Sequence, residues 1–280
     1  MDFFDQRCEE IFRILEFNLA DIICLQEVTP AFLEKLKNEK WVQTYYWISH
    51  IGNESSIHPY GCIILSTLHP TGIRRIPFPS FMNRDCIVAD FLVNGEEIAF
   101  CTTHLESMHN PQKRTEQLRV ISTQVAPYFS NLVLLGDFNF DSSQNFSQVL
   151  QKREALKKGF PIENIEDYPT ETSEYLENDQ LKTLLCDFCD IWVDCGLKET
   201  TDKGYTYDSL KNNMIKNYER MRYDRIMYKS NKKVWQPSGI SLLGTQTIDP
   251  AKVGGTLVYP SDHFGLIVTL KPHPEHFNPS

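Results

Sequence analysis

A nine-residue segment near the middle of the chain constrains the fold most, because it joins a buried strand to side chains that can bind metals or move protons. Residues 131–139 (Asn-Leu-Val-Leu-Leu-Gly-Asp-Phe-Asn) begin with an apolar run typical of a buried β-strand. We expect Gly136 to end this strand and to deliver Asp137 and Asn139 on the following loop. Sheet proteins build their sites at such strand ends.

A second segment has the reverse order. Asp262 and His263 directly precede residues 266–270 (Leu-Ile-Val-Thr-Leu), which we predict to form another strand. Because both segments place polar side chains at the end of an apolar strand, we expect these side chains to meet. The two segments therefore predict one polar pocket.

The length and composition favour one large domain. With 280 residues and a hydrophobic fraction of 41%, the chain can bury a large core. We predict a single domain over residues 1–280, because no linker-like stretch, repeat or low-complexity run divides it. The net charge of −9 gives no global basic surface, so a nucleic-acid site has to be local.

The cysteines predict a reducing, intracellular setting. The eight cysteines are scattered and several lie in apolar runs, which favours buried free thiols. Cys186, Cys189 and Cys195 lack a fourth ligand at zinc spacing. We find neither a signal segment nor an apolar run long enough to span a bilayer. We therefore expect an intracellular protein, nuclear or cytoplasmic, without a membrane partner.

Helical and strand-like patterns alternate, which predicts a layered α/β fold. The predicted helices are residues 1–17, 29–38 and 114–128, the second with Thr29 as its cap and Pro30 at its first position. The predicted strands are residues 21–25, 45–49, 62–66, 87–93, 97–103, 131–135 and 266–270, with further strand ends at 205–208 and 223–228. Asn94-Gly95 predicts a hairpin. We predict that residues 141–180 form a partly helical surface insertion.

Eight polar side chains flank the apolar runs, and all are metal-ligand or acid–base types: Glu27, His104, Asp137, Asn139, Asp208, Asp224, Asp262 and His263. Mg²⁺ takes one or two carboxylates and leaves its other positions to water and phosphate, which Glu27 with Asp262 could supply. Phosphoryl chemistry also needs a proton acceptor and donors aimed at developing charge. Asp137, Asn139 and the two histidines suit those tasks.

Taken singly, these residues also have ordinary structural explanations. Glu27 could cap a helix or lie on the surface. Asp137 and Asn139 could form an Asx turn, and His104 could be a satisfied polar residue at a strand end. Asp224 could form a surface ion pair with the arginines on either side, worth about 0–1 kcal/mol.

Together and in this order, the motifs resemble the endonuclease/exonuclease/phosphatase superfamily over nearly the whole chain. The segments are Gln-Glu (26–27), Thr-His-Leu-Glu-Ser (103–107), Gly-Asp-Phe-Asn (136–139), Tyr-Asp-Arg-Ile (223–226) and Ser-Asp-His-Phe-Gly (261–265). Five segments are most similar to superfamily members that release tyrosine from the 5′ phosphate of DNA: Leu-Gln-Glu-Val (25–28), Ile-Pro-Phe-Pro-Ser (76–80), His-Leu-Glu-Ser (104–107), Tyr-Thr-Tyr-Asp (205–208) and Pro-Ser-Asp-His (260–263).

This resemblance implies both a fold and an activity. The implied fold is α/β, a four-layer sandwich of two packed mixed sheets flanked by helices. The implied activity is hydrolysis of a 5′-phosphotyrosyl bond between protein and DNA, or of a related nucleic-acid end, by in-line displacement with one Mg²⁺ or Mn²⁺. The implied partner is a DNA end that carries a peptide adduct.

The resemblance also implies residue roles. The metal side is formed by Glu27 and Asp262, while Asp137 activates the attacking water and Asn139 holds water and phosphate. The two imidazoles of His104 and His263 stabilise the charged transition state, and Asp224 orients His263. The implied substrate contacts are Arg84, Ser107, Tyr207, Asp208 and Tyr223.

Three departures from the family pattern leave alternatives open. The family begins with a strand that carries an active-site asparagine, whereas Met1 falls where the next helix should begin. Asp141 stands where an arginine near the phosphate is usual, and Tyr207 where tryptophan is common. The alternatives are an RNA or abasic-site nuclease, a small-molecule phosphatase, and an inactive remnant that binds phosphate-rich partners.

Overall fold

The computed structural model describes residues 3–49, 57–108, 110–142, 177–197, 203–230 and 234–273. The helices are α1 (Phe4–Asn18), α2 (Pro30–Asn38), α3 (Lys40–Tyr45), α4 (Pro111–Gln124), α5 (Glu177–Leu184) and α6 (Ile191–Asp194). The strands are β1 (Ile22–Val28), β2 (Trp47–Ile48), β3 (Gly61–Ser66), β4 (Gly72–Pro77), β5 (Asp85–Val93), β6 (Glu96–His104), β7 (Asn131–Asp137), β8 (Cys189–Asp190), β9 (Tyr207–Asp208), β10 (Arg220–Met221), β11 (Asp224–Ser230), β12 (Trp235–Leu243) and β13 (Gly265–Pro272). Most of the insertion predicted at residues 141–180 lies outside the described residues.

The largest sheet is mixed and has the strand order β4-β5-β6-β7-β11-β8. Strands β6 and β7 are parallel, and the other pairs in this sheet are antiparallel. A second sheet has the order β1-β3-β2, and β12 pairs with β13. The fold is therefore α/β with a mixed main sheet, while the pairs of the β1-β3-β2 sheet and of β12 with β13 are antiparallel. Helix α4 connects the parallel pair as such a crossover requires.

Three apolar clusters show which elements pack against each face of the sheets. One cluster joins the six-stranded sheet to α4 and α5 through residues such as Leu118, Leu134 and Leu181. A second joins the β1-β3-β2 sheet to α1, α2 and α3. A third contains Ile64 and Val133, from the two different sheets. Both faces of each main sheet are thus buried, which explains their nearly continuous apolar strands.

Local sequence signals account for two boundaries. Helix α2 begins as predicted, because the Thr29 hydroxyl accepts a hydrogen bond of 3.3 Å from the Phe32 amide and Pro30 occupies the first turn. The predicted Asn94-Gly95 hairpin is confirmed, since both residues have positive φ (52° and 84°) and join antiparallel strands β5 and β6.

The prediction that Gly136 ends its strand was wrong. Strand β7 continues to Asp137, and Gly136 pairs with both Arg225 and Thr103. Its φ is +139°, and a Cβ there would lie 1.9 Å from the Thr103 carbonyl oxygen. Glycine is needed because the parallel neighbour passes so close, and Asp137 is consequently fixed by two ladders rather than by a loop.

Other differences have recognisable causes. The strand predicted at residues 45–49 is limited to Trp47–Ile48, because α3 extends to Tyr45. The helix predicted at residues 114–128 begins earlier, at Pro111, and closes with a separate 3₁₀ turn. Strand β12 was not predicted, since it contains Pro237 and Gly239, which mark a register shift in its pairing.

The cysteine and membrane expectations can be compared directly. All eight cysteines are free thiols, and Cys8, Cys62, Cys86 and Cys101 are buried. Free thiols are therefore confirmed, but burial holds only for those four, since Cys24 and Cys195 are half-buried and Cys186 and Cys189 are exposed. Among the described helices none is both long and apolar enough to cross a membrane.

Candidate active site

The parallel pair of strands sets the first half of the site. His104 and Asp137 are the last residues of β6 and β7 and are partners in the parallel register. Both are buried, with exposed fractions of 4% and 6%. Nε2 of His104 lies 3.3 Å from Oδ2 of Asp137. The carboxyl ends of parallel strands thus bring an imidazole and a carboxylate together, as the sequence predicts.

The tautomer of His104 follows from its second partner. A guanidinium nitrogen of Arg84 lies 2.9 Å from Nδ1 of His104, and arginine can only donate. Nδ1 is therefore the acceptor, and Nε2 carries the proton that faces Asp137. Burial lowers the pKa of His104 to about 4, and the positive charges of Arg84 and His263 act in the same direction while Asp137 opposes them. His104 is thus neutral at physiological pH.

Asn139 completes the surroundings of Asp137. The Asn139 amide donates a hydrogen bond of 2.8 Å to Oδ1 of Asp137, which is an Asx turn. The Asn139 side chain donates to the Leu105 carbonyl at 2.9 Å. Its φ of 56° is left-handed, a conformation that asparagine tolerates. The structural explanation considered for this pair is therefore present, and it orients the Asp137 carboxylate and leaves Asn139 Oδ1 as an acceptor.

A second imidazole is paired with a carboxylate at the neighbouring strand ends. Nδ1 of His263 lies 2.8 Å from Oδ2 of Asp224, the first residue of β11. Burial alone would lower the pKa of His263, but the Asp224 charge and hydrogen bond, together with Asp137 and Asp262, raise it to about 10. His263 is therefore a cation at physiological pH, opposite to His104.

Glu27 and Asp262 form the acidic side of the site. Although 61% of the Glu27 side chain is exposed, burial in the cleft is the first cause that raises its pKa, and repulsion by Asp262 is the second. Nδ1 of His104 lies 4.0 Å from Glu27 but accepts from Arg84, so it does not neutralise Glu27. Mutually repelling carboxylates of this kind suit a hard divalent cation.

The donor set fits a cation that uses few protein ligands. In the described part of the chain, no group of three or more His, Cys, Asp and Glu side chains is arranged to hold a metal ion. Zinc in a structural site needs four protein ligands, whereas Mg²⁺ commonly uses one or two carboxylates with water and phosphate. Glu27 and Asp262 are carboxylates of the type that such a cation would use.

Aromatic rings cover the cationic imidazole. The Tyr207 ring lies 4.8 Å from the His263 ring and 5.7 Å from Tyr223, measured between centroids. Tyr223 is buried and its hydroxyl donates to Glu219. Burial raises the pKa of both tyrosines, so both hydroxyls stay protonated. The two rings and His263 form one aromatic wall, which the sequence predicted only as separate residues.

Arg84 and Ser107 come together as a second polar group. Arg84 is buried, and it donates 2.8 Å to the Ser107 hydroxyl as well as 2.9 Å to His104. The Tyr60 ring lies 5.2 Å from the guanidinium carbon. Two sequence-predicted substrate contacts are therefore adjacent and linked to His104.

Asp208 has other partners. Its carboxylate accepts two hydrogen bonds from Arg220, at 2.8 and 3.1 Å, and one from the Leu210 amide. It is 1% exposed and joins β9 to β10. The described contacts of this carboxylate lie within one segment, not with the imidazoles or carboxylates of the site.

Two other sequence-based interpretations change. Asp141 is buried and its carboxylate accepts from the Arg222 amide at 3.0 Å, so it faces the protein interior. Arg222 and Arg225 are also buried and both bind Asp190. The surface ion pair considered for Asp224 is therefore replaced by its bond to His263.

Two positions that hold the site were missed by the sequence analysis. The Thr206 hydroxyl accepts from the Asp224 amide at 3.0 Å, and its carbonyl accepts from the Phe264 amide at 2.7 Å. The buried Asn212 side chain donates to the carbonyls of Ser261 and Asp262 at 2.8 and 3.2 Å. Neither residue ends an apolar run, so the criterion used on the sequence could not select it.

The family of the chain follows from this site and a sequence match. A family model described as "Endonuclease/Exonuclease/phosphatase family" matches residues 8–263. The chain therefore belongs to this family. Tyrosyl-DNA phosphodiesterase 2 of Xenopus laevis is 29% identical over 270 residues, covering 94% of this chain and 61% of that protein. The chain thus spans about three fifths of the length of this curated relative.

Solved structures agree on the fold. The D. rerio TDP2 structure complexed with single strand DNA product has a TM-score of 0.69 and 24% identity, and covers 95% of this chain and 92% of that one. A Bacteroides thetaiotaomicron mannosyl-6-phosphatase has a TM-score of 0.62 and 16% identity, with 95% and 91% covered. Because both identities are low, these likenesses establish the shared α/β fold.

Proposed function

We propose that this chain is a Mg²⁺- or Mn²⁺-dependent phosphodiesterase that hydrolyses the bond between a protein tyrosine and a 5′ phosphate of DNA. The observation that carries the proposal is the arrangement of Asp137, which lies 3.3 Å from His104 and opposite Asp224, the carboxylate that binds His263. The pKa of His104 is lowered to about 4 and that of His263 is raised to about 10. Two neighbouring imidazoles whose pKa values are shifted in opposite directions are typical of a site that transfers protons or stabilises charge during a reaction.

Asp137 is the proposed proton acceptor for the attacking water. The Asn139 amide binds one oxygen of its carboxylate and Nε2 of His104 lies 3.3 Å from the other, which restricts its direction and leaves lone pairs for water. The side-chain nitrogen of Asn139 is bound to the Leu105 carbonyl, so its Oδ1 can accept a hydrogen bond from the same water. A positioned base of this kind contributes about 10²–10⁴-fold to a rate.

His263 is the proposed donor to the phosphate. Its Nδ1 is bound to Asp224, so Nε2–H remains to stabilise charge on a phosphoryl or leaving oxygen. Arg84 adds a fixed positive charge beside His104, with a planar fork suited to phosphate. A cation held by Glu27 and Asp262 would supply further stabilisation of phosphoryl charge.

The choice of a tyrosine-linked DNA end rests on the relatives and on the aromatic wall. Tyr207, which is half-buried, offers a ring face on which any base can stack, at about 1–3 kcal/mol per base, while the buried Tyr223 packs behind it. The relatives named tyrosyl-DNA phosphodiesterase 2 align with 94% of this chain in the Xenopus laevis case. Because the Asp141 carboxylate faces the protein interior, it would not repel the phosphates of a nucleic-acid strand.

We also infer that residues 1–280 form one domain built in four layers. Helices α1, α2 and α3 cover the β1-β3-β2 sheet, this sheet packs on the six-stranded sheet, and α4 and α5 cover the far side. The three apolar clusters, each between two successive layers, support this order.

The test is Mg²⁺-dependent release of tyrosine from a 5′-phosphotyrosyl single-stranded oligonucleotide. The Asp137→Asn variant keeps the side-chain shape and should lose at least about 10²-fold in rate. Glu116→Gln, an exposed position on α4, is the matched control and should keep the rate. Release by wild type and by Glu116→Gln alone would support the proposal.

A substrate panel separates the rivals. The same proteins are assayed on abasic-site DNA, on single-stranded RNA and on a sugar phosphate. Preferred cleavage of any of these would replace the proposed substrate while keeping the chemistry. Absence of cleavage on every substrate by folded wild type would instead favour a binding protein without activity.

A further inference from the structure

A fully buried carboxylate, Glu106, lies two residues beyond His104 and has no part in the site described above. It is 0% exposed. Its oxygens accept hydrogen bonds from the Ser80 hydroxyl at 2.6 Å, the Phe81 amide at 2.9 Å and the Gln117 side chain at 2.9 Å. A buried carboxylate is costly unless hydrogen-bonded, so these three neutral donors decide where it can lie.

Ser80 passes this link to Arg84. Because the Ser80 proton is donated to Glu106, the lone pairs of its oxygen face the Met82 and Arg84 amides, at 2.9 and 3.0 Å. The Phe78 amide donates to the Arg84 carbonyl at 3.0 Å and closes the same loop. The backbone at Arg84 is therefore fixed by a chain of hydrogen bonds that starts at Glu106.

The other end of Arg84 is held by the same short segment. His104 and Ser107 accept from its guanidinium at 2.9 and 2.8 Å. Residues 104–107 thus hold Arg84 twice, at the guanidinium through His104 and Ser107 and at the backbone through Glu106. A fork that is held at both ends is ordered before a phosphate arrives, which reduces the entropy lost on binding.

We propose that Glu106 is a positioning residue, which aligns the Arg84 fork for the 5′ phosphate and keeps it bonded to His104. The proposal rests on the proposed function for the phosphate, but the order of Arg84 itself can be tested without any ligand. Charge strengthens the hydrogen bonds of Glu106, so the neutral isostere is the informative change.

The first test measures the order of Arg84 in the ligand-free protein. In ¹⁵N-arginine-labelled protein, the Nε–H signal of Arg84 is assigned with Arg84→Lys, and its exchange with water is measured. Glu106→Gln replaces one acceptor oxygen by a donor, so it loses at least one partner and should make the signal exchange faster. Ser80→Ala breaks the next link and should do the same, which keeps the test valid if Glu106→Gln fails to fold.

Glu16→Gln removes the same charge from an exposed position of α1 and should leave the Arg84 signal unchanged. An unchanged signal in folded Glu106→Gln and Ser80→Ala would overturn the proposal. Faster exchange in Glu16→Gln as well would also overturn it, because the effect would then be one of net charge.

The second test measures binding of a 5′-phosphorylated single-stranded oligonucleotide in EDTA by fluorescence anisotropy. Glu106→Gln and Ser80→Ala should each weaken binding on the order of tenfold. Combined with Arg84→Ala they should add nothing, since Glu106 acts through Arg84. Additive losses would overturn the proposal. If wild type binds no oligonucleotide while the Arg84 signal still depends on Glu106, the proposed function fails and the positioning role stands.

Discussion

Asp137 and Asp224 lie directly opposite each other in the antiparallel register of β7 and β11. Like charges in such cross-strand positions are destabilising. Each carboxylate faces a different imidazole, since Asp137 lies 3.3 Å from the neutral His104 and Asp224 is hydrogen-bonded to the cationic His263. The positive charge of His263 therefore offsets both members of an acidic pair that the sheet brings together, and a change in that charge affects both stability and the site.

The raised pKa of His263 predicts a loss of stability in alkali. A histidine whose pKa is about 10 when folded and about 6.5 when unfolded stabilises the fold fully below pH 6.5. This contribution is lost as the pH rises toward 10. Asp224→Asn removes the carboxylate that contributes most to the raised pKa of His263, so it should lower that pKa and flatten the decline. The pKa is measured by NMR and stability by urea unfolding from pH 6 to 10, with Asp179→Asn as the control; equal slopes for wild type and Asp224→Asn would contradict the assignment.

The lowered pKa of His104 has the opposite effect, because it predicts a loss of stability in acid. The unfolded imidazole takes up a proton near pH 6.5, whereas the folded one resists until about pH 4. The fold should therefore lose on the order of 2–3 kcal/mol as the pH falls through this window. His104→Gln, which cannot titrate there, should reduce the acid sensitivity. Unfolding at pH 7 and pH 4.5 compares the two proteins, and an identical loss in both would exclude His104 as the cause.

Gly136 predicts a large structural effect. Gly136→Ala places a Cβ 1.9 Å from the Thr103 carbonyl at a φ of +139°, so the parallel strands have to separate. We expect a loss of about 3 kcal/mol or more. Gly95→Ala also has a positive φ but meets no atom within 4 Å, and it should cost about 1 kcal/mol. Urea unfolding measures both, and similar losses would show that the close approach is unimportant.

Sequence patterns predicted the site better than its supports. The polar residues at strand ends could be found because an apolar run marks each strand in the sequence. Asp137, His104 and His263 do lie close together in the structure. Thr206 and Asn212 act through backbone carbonyls and amides of distant segments, so no local pattern marks them. Strand β12 escaped prediction because Pro237 and Gly239 interrupt it, and only pairing with β13 makes it a strand.

Glu27 predicts how cation binding depends on pH. Its pKa is raised by burial and by Asp262, and a protonated carboxyl is a poor ligand. Affinity for Mn²⁺ should therefore fall as the pH is lowered toward the raised pKa of Glu27, with proton release on binding. Glu27→Gln should weaken binding and remove this pH dependence, whereas the surface variant Glu34→Gln should resemble wild type. Calorimetric titration gives affinity and proton release, and pH-independent binding by wild type would rule Glu27 out as a ligand.

The strand order of the main sheet has a kinetic consequence. Helices α1 and α2 form from local contacts, but the site draws Glu27, Asp137 and His263 from distant parts of the chain. Non-local pairings form slowly because loop closure precedes them. On refolding from urea, helical signal should return first and binding of a phosphorylated oligonucleotide last. The rate at which oligonucleotide binding recovers therefore reports when the last long-range contacts of the fold have formed.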